Sequence, residues 1–210
     1  MSVAGIQESY DLLSARYVEL LGSVEQMHEL DRRRIREWAL APSLRPEDAL
    51  PGAGRRFLDL GCGPGHWTDY LHRAGVDITG MDLSPEFIAS ARRSFPEVEY
   101  RLGDAYALEA EDDSLVGVLA WFSLIHTPPE DLPRIAAEIA RVLAHGGRLL
   151  LGWFTGDEVA PFEHAVVRAW FWPQRELSAI LDDAGFDVLD VEERHEAGER
   201  AVASLSAILR

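Results

Sequence analysis

Two segments of the chain carry residues able to do chemistry. In Phe57-Leu58-Asp59-Leu60-Gly61-Cys62-Gly63-Pro64-Gly65-His66-Trp67 an apolar run holds an acid, three glycines alternate, and a helix-like stretch begins. A second apolar run, Ile78-Thr79-Gly80-Met81, ends at Asp82. The first offers a bare backbone turn that a charged small molecule can approach closely. The second offers a carboxylate able to accept hydrogen bonds from two ribose hydroxyls. Together they indicate a nucleotide-like cofactor. The dinucleotide fingerprint G-x-G-x-x-G sets its third glycine in the first helical turn, where a pyrophosphate approaches the helix N-terminus. That position holds His66, and the glycines fall at 61, 63 and 65. This argues against NAD or FAD and against a nicotinamide oxidoreductase.

The elements that must position these residues follow from periodicity. From Arg55 onward strand and helix alternate. Strands centre on Phe57–Leu60, Asp77–Met81, Glu97–Leu102, Val116–Trp121 and Leu149–Phe154. Near-continuous apolar runs such as Leu149-Leu150-Leu151 suit strands covered on both faces. Ser84-Pro85-Glu86 supplies an N-cap, a proline at the first helical position and an acid in the first turn. Thr127-Pro128-Pro129-Glu130 reads as a capping box. Leu132, Ile135, Ile139, Val142 and Leu143 then repeat at helical spacing, and Gly146-Gly147 ends that helix. Leu177, Ile180, Leu181 and Ala184 do the same before Gly185. The closing runs Phe186–Glu192 and Arg200–Leu209 have no helix between them and should pair antiparallel. Residues 1–50 read as a helical cap, with Leu12, Leu13, Tyr17, Leu20 and Leu21 on one stripe that Leu30, Ile35 and Trp38 continue. Residues 51–210 read as one compact unit.

The pattern Asp-x-Gly-x-Gly-x-Gly resembles motif I of the class I S-adenosylmethionine (AdoMet)-dependent methyltransferases. Asp82 in Gly-Met-Asp-Leu-Ser-Pro resembles the acid of motif II. Gly103-Asp104-Ala105 resembles the adenine-side motif, and Leu119 to His126 resembles motif IV. The resemblance is clear from about Phe57 to Phe154. It implies a Rossmann-like α/β sandwich with a mostly parallel seven-stranded sheet in the order 3-2-1-4-5-7-6, strand 7 antiparallel. Ligands of such sheets bind outside the C-terminal strand ends, where the order reverses. All four motifs follow strand ends, so they should converge on one rim.

The resemblance implies AdoMet as cofactor and methyl transfer to a small-molecule acceptor as activity. The alternative is a non-catalytic AdoMet-binding or partner protein that kept the fold. Gly61, Cys62, Gly63 and Gly65 are expected to present backbone N–H groups to the methionine carboxylate. Asp59 would orient this loop, directly or through water to the cofactor's ammonium. Asp82, followed by Leu83 and Ser84, would hold the ribose. Gly103, Asp104 and Ala105 would meet the adenine, and Trp121 and Phe122 would flank the sulfonium. Tyr17 belongs to a region where the family uses N-terminal aromatics to close over the cofactor; core packing is the other reading. His126 is the candidate general base; its alternative is packing behind the rim or capping the next helix. Phe162, His164, Trp170 and Trp172 are expected in an acceptor pocket under an aromatic lid. The Cys62 side chain reads as a small buried filler, and no His/Cys/Asp set has metal spacing.

The chain has 210 residues, with 20 Lys+Arg against 36 Asp+Glu and a net charge of -16. Polyanion binding needs phosphate neutralisation by Lys and Arg, so nucleic acid is not an expected partner. The basic run Arg32-Arg33-Arg34 with Arg36 reads as a solvated helix face. No apolar run approaches the ~20 residues that span a bilayer, and Met1–Tyr10 lacks the pattern of a signal peptide. A single cysteine excludes an internal disulfide and points to the cytoplasm.

Overall fold

Five apolar runs form a parallel array. They are β1 (Arg56–Leu60), β2 (Asp77–Asp82), β3 (Glu99–Leu102), β4 (Leu115–Trp121) and β5 (Leu143–Thr155), paired in the order β3-β2-β1-β4-β5. The computed structural model describes Gly5, residues 23–42 and residues 56–210. Tyr17 and the expected boundary at residue 50 lie outside the described residues. No helix among the described residues is long and apolar enough to cross a membrane.

A short hairpin follows, β6 (Ala160–Phe162) with β7 (Ala169–Trp172). The chain closes with the antiparallel pair β8 (Phe186–Arg194) and β9 (Val202–Leu209). β9 runs antiparallel to β5 from Arg148 to Phe154. Leaving the hairpin aside, the sheet therefore has the expected seven-strand order 3-2-1-4-5-7-6 with its last strand antiparallel. The hairpin is an addition within the segment expected to form an aromatic lid. β4 covers one edge of β5 only as far as Gly152, and β7 takes over that edge at Phe154 and Thr155.

Helices α1 (Glu29–Leu40), α2 (His66–Arg73), α3 (Pro85–Ser94), α4 (Leu132–Val142) and α5 (Gln174–Asp183) clothe the sheet. Successive strand residues point to opposite faces. Phe57, Leu119 and Leu150 pack with Ile35 and Trp38 of α1 and Trp67 and Leu71 of α2. Their neighbours Leu58, Val118 and Leu149 pack with Ile135 and Ile139 of α4 and Leu177 and Leu181 of α5. Each such side chain contributes about 1.5–3 kcal/mol by leaving water.

Three local expectations are corrected. α4 begins at Leu132 with Asp131 as N-cap, and Thr127–Glu130 turns instead of capping. Pro129 disfavours the helical region for Pro128, and the chain turns there, with Asp131 N donating to the Pro128 carbonyl at 2.9 Å. Gly146 and Gly147 lie inside β5, where the register to β4 shifts between Leu115 and Gly117; the helix has already stopped at Val142. Arg34 of the basic run is not solvated: its side chain is 14% exposed and pairs with Asp190 and Glu192 of β8. Arg33 and Arg36 are exposed as expected.

Candidate active site

The ends of β1, β2, β3 and β4 meet at one rim around a cleft with about 940 Å³ of empty space, open mouth included. Its first wall is the turn after β1. Gly61 has φ +72°, and a Cβ there would fall 2.3 Å from the Ser123 Cβ. Gly65 has φ +87°, and a Cβ there would fall 2.6 Å from the Tyr100 hydroxyl oxygen. Both positions therefore exclude other residues by conformation and by close approach. Tyr100 fixes the turn further by donating its hydroxyl proton to the Gly65 carbonyl at 3.1 Å.

The turn's own N–H groups are committed within the protein. Gly61 N and Cys62 N donate to the Met81 carbonyl at 2.7 and 2.9 Å, and Gly65 N donates to the Cys62 carbonyl at 3.0 Å. Gly63 N donates to Asp82 Oδ2 at 2.8 Å. This corrects the expectation of N–H groups presented to a carboxylate. The Cys62 and Gly65 carbonyls are taken as well, so a cation would meet the carbonyl oxygens of Gly61 and Gly63, the turn residues that line the cleft.

Asp82 stands at the end of β2. While Oδ2 holds Gly63, Oδ1 accepts from Ser84 N at 2.8 Å. Ser84 in turn caps α3, its Oγ accepting from Phe87 N at 3.2 Å. One carboxylate thus ties the glycine turn to the start of the next helix. A carboxylate has about four acceptor positions, so it can hold the turn and still accept from a ligand's hydroxyls.

Gly61, Gly63, Asp82, Leu83 and Ser84 line the cleft on this side. Gly103, Asp104, Ala105, Trp121, Phe122 and His126 line the rest. Asp104 accepts from Tyr106 N at 2.9 Å, which folds the loop after β3 back on itself. The remaining cofactor candidates lie elsewhere. Asp59 is 2% exposed beneath the turn, accepting from Thr68 Oγ1 of α2 at 2.7 Å. Burial pushes its carboxyl up to about 7, the Thr68 bond opposes this, and the Asp82 charge adds to it. Cys62 packs with Ile88, Ala91, Val98 and Tyr100, and burial raises its thiol well above the usual range. Gly65 faces Tyr100.

His126 is 6% exposed, and its Nδ1 lies 2.9 Å from the Arg168 carbonyl. A carbonyl only accepts, so this bond assigns the proton to Nδ1 and makes Nε2 the acceptor nitrogen. Burial pushes the ring down to about 4, so it is neutral at pH 7. The expected aromatic lid divides. His164 and Phe162 form a wall behind His126: the two histidine rings are 5.2 Å apart, and Phe162 stacks on Phe171 at 4.2 Å under the Arg200 guanidinium. Trp172 belongs to the core, and its carbonyl accepts from Trp153 Nε1 at 3.0 Å. Trp170 packs on that core, and its N–H donates to the Ile125 carbonyl at 3.0 Å. None of these four lines the cleft. The segment became a hairpin sewn to the loop after β4, not a cover.

The sequence reading missed Met81, Phe87, Tyr106, Ser123, Leu124, Thr127 and Ile135 among the cleft walls. Phe87 and Ile135 had a readable signal, since each faces the rim from the first turn of a helix that follows a strand. Ser123 had none, although its buried Oγ has no hydrogen-bond partner.

A family model described as a methyltransferase domain matches residues 57–147. An uncharacterized methyltransferase of Mycobacterium tuberculosis (strain ATCC 25618 / H37Rv) is 40% identical over 123 residues, which are 56% of this chain and 48% of the relative. A ubiquinone biosynthesis O-methyltransferase of Xanthomonas campestris pv. campestris is 31% identical over 77% of this chain and 65% of the relative. The chain spans about half the length of the first of these curated relatives. Among solved structures, the magnesium protoporphyrin IX methyltransferase of Synechocystis with bound SAM superposes with a TM-score of 0.74 at 18% identity, covering 99% of this chain and 97% of that one.

Proposed function

We propose that the chain is a class I S-adenosylmethionine-dependent methyltransferase that transfers a methyl group from AdoMet to a small-molecule acceptor, a reading supported by the methyltransferase-domain match over residues 57–147 and by the methyltransferase relatives. The observation that carries the cofactor assignment is Asp82, whose carboxylate joins the glycine turn to α3 at the edge of the cleft. Two further features fit a nucleoside with a cationic tail. The turn offers carbonyl oxygens because its N–H groups are bonded internally. The buried Ser123 hydroxyl, on the same wall, has no partner in the protein.

In this reading Asp82 accepts from the ribose hydroxyls, and Asp104 and Ala105 meet the adenine. Gly61 and Gly63 hold the amino-acid tail through backbone oxygen. Asp59 acts through Thr68 and the turn, without touching the ligand. Trp121 and Phe122, with rings 5.6 Å apart, present aromatic faces to a cation. When bound, AdoMet supplies an electrophilic methyl: the acceptor's lone pair forms the new bond, the carbon–sulfur bond breaks, and its electron pair stays on sulfur as a neutral thioether. The protein's task is to hold the acceptor in line at roughly 3–3.5 Å and to exclude water. For a hydroxyl acceptor, His126 is the group on the cleft wall that takes the proton on Nε2. Its neutrality at pH 7 puts it in the right state, and its low basicity suits a proton released late, as the bond to carbon forms.

The small-molecule assignment is supported by the ubiquinone-pathway relative and by the net charge of -16, which disfavours a nucleic-acid acceptor. We assign residues 1–50 as a cap and 51–210 as the methyltransferase domain; α1 already seats on the same sheet face as α2. The lone, buried Cys62 fits a reducing compartment, the cytoplasm. Calorimetric titration with AdoMet tests the core of the proposal. Saturable binding that S-adenosylhomocysteine competes for is expected; no heat at high micromolar cofactor refutes it.

A further inference from the structure

A second cavity lies across Trp121 and Phe122 from the cofactor cleft, and both residues line both spaces. Its outer walls are α1 and the β8–β9 pair. Leu30, Val202 and Ala203 make it apolar next to the two aromatic rings. Asp31, Arg34, Glu192 and Arg194 make it charged at the far end.

The sign of that charge is decided by pairing. Arg34 is held by Asp190 and by Glu192 at 3.2 Å. Arg194 is held by Asp31 at 2.6 Å and by Glu196 at 3.2 Å. Each guanidinium thus faces two carboxylates, whereas Glu193, paired with the core residue Ala203, turns its side chain to the other face of β8, towards His195 at 3.4 Å. His28 touches Glu196 at 3.3 Å. The local field is negative even with both arginines counted, within a chain that is itself strongly acidic. An anionic ligand is repelled there, and a cation is attracted.

The wall between the two spaces is also unusual. Phe122 has φ +54°, the left-handed region that bulky residues avoid. Its N–H is fixed to the Gly152 carbonyl at 3.1 Å, so β5 holds the residue in that conformation. The ring is thereby placed as a partition between cleft and chamber, and strain of this kind collects at ligand clamps.

We propose that this chamber receives the methyl acceptor and that the acceptor is a small amphipathic amine. Its apolar or aromatic body lies against Trp121 and Phe122, and its ammonium sits beside Asp31 and Glu192. The nucleophile is then a hydroxyl at the opposite end, facing the cleft, because a protonated amine has no lone pair to give. The oxygen gains the methyl, the carbon–sulfur bond breaks with its electron pair on sulfur, and the hydroxyl proton leaves to His126 or water. Phe122 sets specificity as the residue the acceptor must pass. This inference rests on the methyltransferase reading above and names the acceptor class for it.

The test uses two probes of the same shape and opposite charge, tyramine and 4-hydroxyphenylacetate, titrated calorimetrically into the full chain saturated with S-adenosylhomocysteine. Tyramine is expected to bind at least tenfold more tightly. Glu192→Gln should cut that preference severalfold. Leu30→Trp, at a position 39% exposed on α1, should fill the chamber and abolish tyramine binding while S-adenosylhomocysteine affinity stays within twofold. Equal or reversed preference, or tyramine binding that Leu30→Trp leaves intact, overturns the inference. A wild-type chain that does not bind S-adenosylhomocysteine strikes instead at the cofactor reading on which the inference stands.

Discussion

Replacing Asp82 by Asn separates the two tasks given to its carboxylate. In the folded chain the two oxygens each accept one backbone N–H, from Gly63 and from Ser84, both at 2.8 Å. An amide has one oxygen, so one of these N–H groups must face an NH2 group. Leaving a buried donor unsatisfied costs about 1–3 kcal/mol, which for a chain of this size lowers Tm by roughly 4–8 °C at the middle of that range. Ligand binding should suffer separately. Two ribose hydroxyls bonded to a carboxylate are charge-assisted, each at about 1.5–3 kcal/mol. Loss of both at the lower figure is about 3 kcal/mol, or roughly 100-fold in Kd. The assay is a thermal melt of the ligand-free variant beside calorimetry with S-adenosylhomocysteine. A lowered Tm with unchanged Kd means that the carboxylate only braces the turn, and the ribose assignment is then wrong.

Other outcomes follow from the same geometry. His66 and His126 both have folded values near 4, below the ordinary 6.5, so each disfavours the fold as pH drops from 6.5 to 4, by up to about 3 kcal/mol each. Asp59, raised to about 7, acts oppositely, losing its contribution as pH rises from about 4 to 7. Denaturant unfolding should therefore show net stability rising from pH 4 to 6.5, and Asp59→Asn should make that rise steeper; a flat profile in both chains contradicts the burial argument. His66 is 6% exposed with neither ring nitrogen partnered. His66→Leu should stabilise the ligand-free protein at pH 8 by about 1–3 kcal/mol, and a clear loss in denaturant midpoint would show that the ring has a partner. Gly61→Ala forces a left-handed alanine, at about 1–2 kcal/mol, and drives its Cβ onto Ser123. It should abolish measurable AdoMet binding while circular dichroism still reports the sheet.

The parallel strands were legible because both faces of the sheet are covered, which leaves apolar runs such as Leu149-Leu150-Leu151. The rim was legible because its residues follow strand ends. The hairpin was not. Its strands have three and four residues, Pro161 interrupts one, and Trp170-Phe171-Trp172 carries no alternation. Gly146-Gly147 misled for a related reason: glycine marks a strand irregularity as readily as a helix end. The burial of Asp59 was invisible as well. An acid inside an apolar strand can face the ligand or the helix beneath, and only the packed position of Thr68 decides between them. The direction of the loop amides needed coordinates, since glycine spacing says where a turn comes close but not which of its polar atoms are already spent.

The ring of Tyr100 occupies the space that side chains at Gly65 and Gly80 would fill, and it also touches Cys62. The cradle is therefore moulded around an internal aromatic plug, and its shape does not wait for a ligand. Arriving molecules meet a pre-organised surface and lose little free energy to ordering the backbone. Recognition can then be modular: adenosine alone, without the amino-acid tail, should find its half of the cleft already in place.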